Sequence, residues 1–142
     1  MAVVYLGLGS NLGDRLKNIQ DALKLLSDIV TVERISTIRE TEPVGGPPQG
    51  KYLNAVVKIT TSLSAHQLLS LTQTIEQKLG RIRTVANAPR TIDIDILTYD
   101  KEHIDDAQLT IPHPRMLVRD FVMKPLSELD QEFARQLTGH LA

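Results

Sequence analysis

The chain has 142 residues, 42 % of them hydrophobic and 23 % charged, which points to one globular domain spanning 1–142 with enough length to bury a core. A net charge of −1 offers no basic field and argues against a nucleic-acid partner, and the lack of cysteine excludes a disulfide framework and thiolate chemistry, as expected of a cytoplasmic protein. No run approaches the roughly 20 apolar residues of a membrane span, and Met1-Ala2-Val3-Val4-Tyr5-Leu6 has no basic start, so it reads as a first strand and not as a signal peptide.

The apolar run Val3 to Leu8 ends among Gly7, Gly9 and Gly13. These glycines match neither G-x-G-x-x-G, because position 12 is Leu, nor a P-loop, because Asp14 follows Gly13. A tight strand-to-helix turn is expected instead. Asp14 can cap the next helix, in which Leu16, Ile19, Leu23 and Leu26 would form the buried stripe. Ile29 to Ile38 is rich in β-branched residues with imperfect alternation, which predicts a strand with a bulge. The Pro/Gly-rich stretch 43–50 is too short to divide domains and reads as a loop.

From Lys51 to Ile59 the alternation is clean. Leu53, Ala55, Val57 and Ile59 share one face, while Tyr52, Asn54, Val56 and Lys58 share the other. Ser64 and Gln67 have capping-box spacing, Leu63 and Leu68 that of a hydrophobic staple, and Gly80 is placed to end the helix. Leu68, Leu71, Ile75 and Leu79 make its expected stripe. After a polar loop comes Thr91-Ile92-Asp93-Ile94-Asp95-Ile96-Leu97, a strand with isoleucines on one face and two carboxylates on the other. The order βαββαβ predicts an α+β, ferredoxin-like antiparallel sheet with both helices on one face. Tyr52/Asn54 and Asp93/Asp95 would then share the uncovered side. Beyond it lies a C-terminal extension in which Thr110 to Arg115 should be extended or turning. Val118 to Phe121 can begin a helical turn, and Ser127 to Leu141 suits one or two short amphipathic helices bearing Leu129, Phe133 and Leu137.

The Asp93/Asp95 pair has two readings: a solvated acidic face, or oxygen ligands for magnesium arriving with substrate phosphates. Arg81, Arg83 and Arg90 bracket the preceding loop, and each alone can be an ordinary salt bridge. Together with a carboxylate pair they suit phosphoryl-type transfer, which depends on positioning and charge stabilisation and needs no covalent nucleophile. The four histidines are scattered and argue against zinc. His113 can be a structural loop histidine or a phosphate contact. Only 4 % of residues are aromatic, so Tyr52 on the open face stands out as a stacking platform, with Asn54 able to read a ligand's edge.

These residues resemble the 6-hydroxymethyl-7,8-dihydropterin pyrophosphokinase family almost end to end. The resemblance rests on Leu8-Gly9-Ser10-Asn11-Leu12-Gly13, Thr41-Glu42-Pro43-Val44-Gly45, Tyr52-Leu53-Asn54, Gly80-Arg81-Ile82-Arg83, Pro89-Arg90-Thr91-Ile92-Asp93-Ile94-Asp95-Ile96-Leu97, Ile111-Pro112-His113-Pro114-Arg115 and Arg119-Asp120-Phe121-Val122. It implies that pyrophosphate passes from ATP to the pterin hydroxymethyl group, with AMP released, in folate biosynthesis. By the same resemblance Asp93 and Asp95 hold two Mg²⁺ ions, and Arg81, Arg90 and Asp95 are catalytic. Gln73, Glu76, Arg83, Ile96, Thr110, His113 and Arg119 match the ATP site. Thr41, Pro43, Val44, Tyr52, Asn54, Asp93 and Phe121 match the pterin site. A monomer is expected. The chain departs from the family pattern between Arg83 and Pro89, where the loop is one residue shorter and carries no Trp.

Overall fold

The structure, a computed structural model, describes residues 1–43, 46, 48–80 and 91–139. Its elements are β1 (Ala2–Ser10), α1 (Arg15–Ser27), β2 (Thr31–Ile35), β3 (Arg39–Thr41), β4 (Tyr52–Thr61), α2 (Ala65–Lys78), β5 (Asp93–Tyr99), β6 (Ile104–Asp105), β7 (Thr110–Ile111), α3 (Asp120–Leu129) and α4 (Gln131–Gly139), with a 3₁₀ turn at Met116–Val118 before α3. The main sheet runs β2-β4-β1-β5, and β3 adds to β4 beyond the end of β2. All its pairings are antiparallel. This is the ferredoxin-like order expected from the chain, with a small β6-β7 hairpin appended.

The local signals act as their chemistry dictates. The Asp14 carboxylate accepts a hydrogen bond from the Lys17 amide at 3.2 Å and opens α1. Gly13 turns the chain there with φ +72°. In α2 the Ser64 hydroxyl accepts from the Gln67 backbone amide at 3.2 Å while the Gln67 side-chain Oε1 accepts from the Ser64 backbone amide at 2.9 Å, closing the capping box. The expected bulge in the second strand lies between Val32 and Arg34. Between β2 and β3 the ladder continues through Ser36, whose amide donates to the Val56 carbonyl and whose hydroxyl accepts from the Val56 amide, both at 2.9 Å.

The helix stripes are rotated from those expected. In α1 the buried residues are Ile19, Ala22 and Leu26, while Leu16, in the first turn, is 45 % exposed. In α2 they are Ala65, Leu68, Thr72, Ile75 and Glu76, and Leu71 and Leu79 are only partly buried. Hydrophobicity alone favours leucine over threonine and glutamate, but packing geometry decides which side of the helix meets the sheet.

The helices of the C-terminal part correct the expectation of an uncovered second face. A first core cluster fills the space between α1, α2 and the sheet, with Val4, Leu6, Val57, Ile59, Ile92 and Ile94 among its members. A second lies on the opposite face, where Val122, Leu126 and Leu129 of α3 and Ala134 of α4 pack on Tyr5, Val56 and Leu97. Tyr5 stacks on Phe133 with ring centroids 5.2 Å apart, and its hydroxyl donates to Asp130 at 3.0 Å. Burial, with Asp130 adding to it, pushes that phenol far above its ordinary range. The Leu129–Phe133–Leu137 stripe is split between two helices, because the backbone breaks at Asp130.

Candidate active site

The second face is sealed only in part. Where α3 stops covering it, a cleft opens between the ends of β4, β1 and β5 and the start of α3. Tyr52 and Asn54 enter from β4, Asp93 and Asp95 from β5, Thr41 from β3, and Arg119 and Phe121 from the start of α3. The register explains the assembly. Gly9 of β1 pairs with Asn54 on one side and with Asp93 on the other, so residues 39 positions apart in the chain face one hollow.

The amide wall is held from within. The Asn54 side-chain nitrogen donates to the Thr41 hydroxyl, which orients the amide. Gly9, which the glycine spacing alone marks only as part of a turn, also lines the cleft. A Cβ there would lie 2.9 Å from Asn54 Oδ1 and 3.4 Å from the Tyr52 ring, so its lack of a side chain makes room for both groups. The signal was present in Leu8-Gly9-Ser10, since a glycine inside a strand marks a close approach. Gly7, Glu42, Val56, Leu97 and Val122 also line the cleft. On the far wall the Arg119 guanidinium carbon sits 5.4 Å from the Phe121 ring centroid.

The ATP-site candidates are more dispersed. Ile96 is buried on the helix side of β5, Gln73 and Thr110 are exposed on α2 and β7, and Glu76 is 4 % exposed beneath β5. Pro43 is half-buried next to Thr41. His113 lines a second hollow of about 620 Å³, shared with Thr98, Asp100, Met116 and Phe133. That hollow is larger than the cleft, at about 100 Å³, but its acidic residues Asp100 and Glu102 share the wall with Lys101 and do not stand on alternate positions of a sheet strand as Asp93 and Asp95 do. Burial pulls the His113 imidazole below its ordinary range, Arg119 and Arg115 reinforce this, and Asp93 opposes it. Its backbone amide donates to the Leu97 carbonyl at 2.8 Å, tying this segment to β5. Arg81, Arg83, Arg90 and Val44 lie outside the described residues.

The donor set suits a hard cation. Asp93 and Asp95 are two half-buried carboxylates on one face of a hydrogen-bonded strand, and both open into the cleft. No group of three or more His, Cys, Asp or Glu able to hold a metal occurs among the described residues. Two carboxylates with other positions left to water and phosphate oxygens fit magnesium better than a closed protein cage.

A family model described as 7,8-dihydro-6-hydroxymethylpterin-pyrophosphokinase matches residues 5–131. The 2-amino-4-hydroxy-6-hydroxymethyldihydropteridine pyrophosphokinase of Bacillus subtilis is 47 % identical over 139 residues, 96 % of this chain and 83 % of the relative. That of Aquifex aeolicus is 44 % identical over 130 residues, covering 92 % and 81 %. A folic acid synthesis protein of Pneumocystis carinii is 42 % identical over 96 % of this chain, which spans only 18 % of that protein. Among solved structures, a chain of HPPK-DHPS in complex with substrates superposes with a TM-score of 0.68 at 15 % identity, over 90 % of this chain and 40 % of that one. Plasmodium falciparum HPPK-DHPS gives 0.67 at 14 %, over 91 % and 40 %. These two speak for the fold alone. The extent of the family match and the near-complete bacterial relatives together place the chain in the 7,8-dihydro-6-hydroxymethylpterin-pyrophosphokinase family.

Proposed function

We propose that the chain acts as one domain that transfers pyrophosphate from ATP to the hydroxymethyl group of 6-hydroxymethyl-7,8-dihydropterin. The observation that carries this reading is the single cleft into which β3, β4, β5 and the start of α3 bring Thr41, Tyr52, Asn54, Asp93, Asp95, Arg119 and Phe121. Tyr52 and Phe121 would flank a flat heterocycle, with the Thr41-oriented amide of Asn54 reading its donor and acceptor edge. By the resemblance, Pro43 and Val44 belong to the same pterin site.

In the reaction the pterin hydroxyl oxygen forms a bond to the β-phosphorus of ATP. The bond from that phosphorus to the α,β-bridging oxygen breaks, AMP leaves and the hydroxyl proton is released. No covalent enzyme intermediate is needed, so the residues act by placement and charge. Asp93 and Asp95 would hold Mg²⁺, two ions in this reading, whose charge offsets that of the triphosphate. Arg119 lines the same cleft beside Phe121, and its charge would meet phosphate oxygens there. Gln73, Arg83, Ile96, Thr110 and His113 form the nucleotide side, and Arg81 and Arg90 assist transfer. A soluble, cytoplasmic monomer suits these small substrates. No helix among the described residues is long and apolar enough to cross a membrane.

The deciding assay mixes the protein, Mg²⁺, ATP and the hydroxymethyl dihydropterin and follows the nucleotide product. AMP with Mg²⁺-dependent turnover is expected. ADP would rule out pyrophosphoryl transfer, and a folded protein without turnover would favour a binding module. Arg90→Ala should lower kcat more than it weakens pterin affinity.

A further inference from the structure

Glu76 is a charged residue on a face built to be apolar. It follows Ile75 on the sheet-facing side of α2 and is only 4 % exposed. Isolating a carboxylate from water costs several kcal/mol unless strong hydrogen bonds replace hydration. A carboxylate kept in such a place is held by what it bonds. Glu76 Oε2 accepts a hydrogen bond from the backbone amide of Ile94 at 2.9 Å. Ile94 is the residue between the two cleft carboxylates, and β5 is the last strand on its side of the sheet among the described residues. On the inner side β5 is held by β1, with Gly9 opposite Asp93 and Gly7 opposite Asp95. On the outer side the Ile94 amide has the Glu76 carboxylate in place of a strand.

We propose that Glu76 is a positioning residue for the Asp93/Asp95 pair, fixing the pitch of β5 from behind so that both carboxylates present their oxygens to the cleft together. This rests on the proposed function for the role of the pair, and it goes beyond the resemblance, which sets Glu76 along the nucleotide. The carboxylate acts through the backbone. An edge strand anchored on one side only can twist between residues 93 and 95, and a two-ligand cation site depends on the spacing of its ligands. Outer partners of this kind typically change metal affinity about 10–100-fold when removed.

Three variants of the full chain separate the possibilities. Glu76→Gln keeps an acceptor oxygen at the same reach without the charge, Glu76→Asp keeps the charge but withdraws it by one methylene, and Glu76→Leu removes the acceptor. Two quantities are measured: Mn²⁺ affinity in the presence of a non-hydrolysable ATP analogue, and the exchange rate of the Ile94 amide in metal-free protein. The leucine and aspartate variants should bind Mn²⁺ about 10–100-fold more weakly and exchange the Ile94 amide at least about 10-fold faster. The glutamine variant should stay close to wild type in both. Wild-type affinity in all three, or a glutamine variant as impaired as the leucine one, overturns the proposal, the second by showing that charge and not the acceptor matters. If Glu76→Leu does not fold, the aspartate and glutamine pair decides. A wild-type protein that fails to bind Mn²⁺ with nucleotide overturns the proposed function instead, while the Ile94 exchange rates still report whether Glu76 holds the strand.

Discussion

The two faces of the main sheet are built from the same strands and put to different uses. On one face α1 and α2 lie against residues such as Leu6, Ile59 and Ile94, and the space between is filled with aliphatic side chains. On the other, α3 and α4 bury Val122, Leu126 and Leu129 over Tyr5, Val56 and Leu97, then leave the remaining strand ends to the cleft. Complete cover makes a face a core. Partial cover makes it a core and a site at once, because the helix that seals one half forms the wall of the other. α3 does both: Leu126 anchors it and Phe121, at its start, faces the cleft.

The greatest effect that breaks this division should come from the chemical half alone. Asp95→Ala is expected to lower Mg²⁺-dependent turnover by at least about 100-fold, on the scale of losing a charge-stabilising group, while the thermal midpoint moves by no more than a few degrees. A collapse of the fold measured by calorimetry would instead show that the pair is structural. Next in size, Leu68→Ala and Leu126→Ala remove fully buried leucines from opposite faces and should each cost about 2–5 kcal/mol in denaturant unfolding. Only Leu126→Ala should also raise the KM for the pterin. Equal kinetic effects from the two would mean that the faces are not functionally distinct.

Gly9→Ala tests the boundary between the halves. The new Cβ meets Asn54 Oδ1 at 2.9 Å, so the amide or the strand must shift. A cost of about 1–3 kcal/mol in pterin binding is expected, read by calorimetric titration with stability nearly unchanged. Gly7→Ala, whose Cβ would have the Leu97 side chain as its nearest neighbour, at 3.5 Å, should be milder.

The smallest effect concerns the clasp between α3 and the β3 edge. Glu128 accepts from the Thr37 amide at 2.8 Å, from the Thr37 hydroxyl at 2.9 Å and from Arg39 at 2.9 Å. The Thr37 amide, then its hydroxyl, hold the carboxyl below its ordinary range, with Arg39 adding to the shift. A depressed carboxylate pKa means that the unfolded chain takes up the proton first as pH falls. The clasp therefore contributes stability above the ordinary carboxylate range and loses it as pH drops through the lower folded value. Thermal midpoints between pH 5 and 3 should fall more steeply for wild type than for Glu128→Gln. Identical slopes would remove the clasp from the account of how α3 is held.

Much of this was legible before any coordinates. Alternation placed β4 and β5, capping chemistry placed the start of α2, and the D-x-D strand with Tyr52 and Asn54 marked the face that carries the cleft. What escaped were interactions that depend on distance across the fold. The stretch Ser127 to Leu141, read as one or two short helices, does hold α4, but Pro125 hid that α3 runs unbroken from Asp120 to Leu129, because local signals weigh a proline against a helix while burial of Val122, Leu126 and Leu129 outweighs it. Glu76 was assigned only through the resemblance, to the nucleotide, since nothing local shows that an edge-strand amide lies 2.9 Å from its carboxylate.

Period and turn chemistry by themselves indicated the βαββαβ order, the helix-covered face and the strand faces that carry Asp93/Asp95 and Tyr52/Asn54, because these follow from backbone geometry over a few residues, while Phe121 came from the resemblance. Only tertiary structure decided that α3 and α4 would cap half of the second face. It alone decided that Gly9 would make room for Asn54, and that a buried carboxylate would stand behind the Asp93/Asp95 strand. Those outcomes depend on which surfaces meet once the chain has closed, and on burial energies that no short window of residues contains.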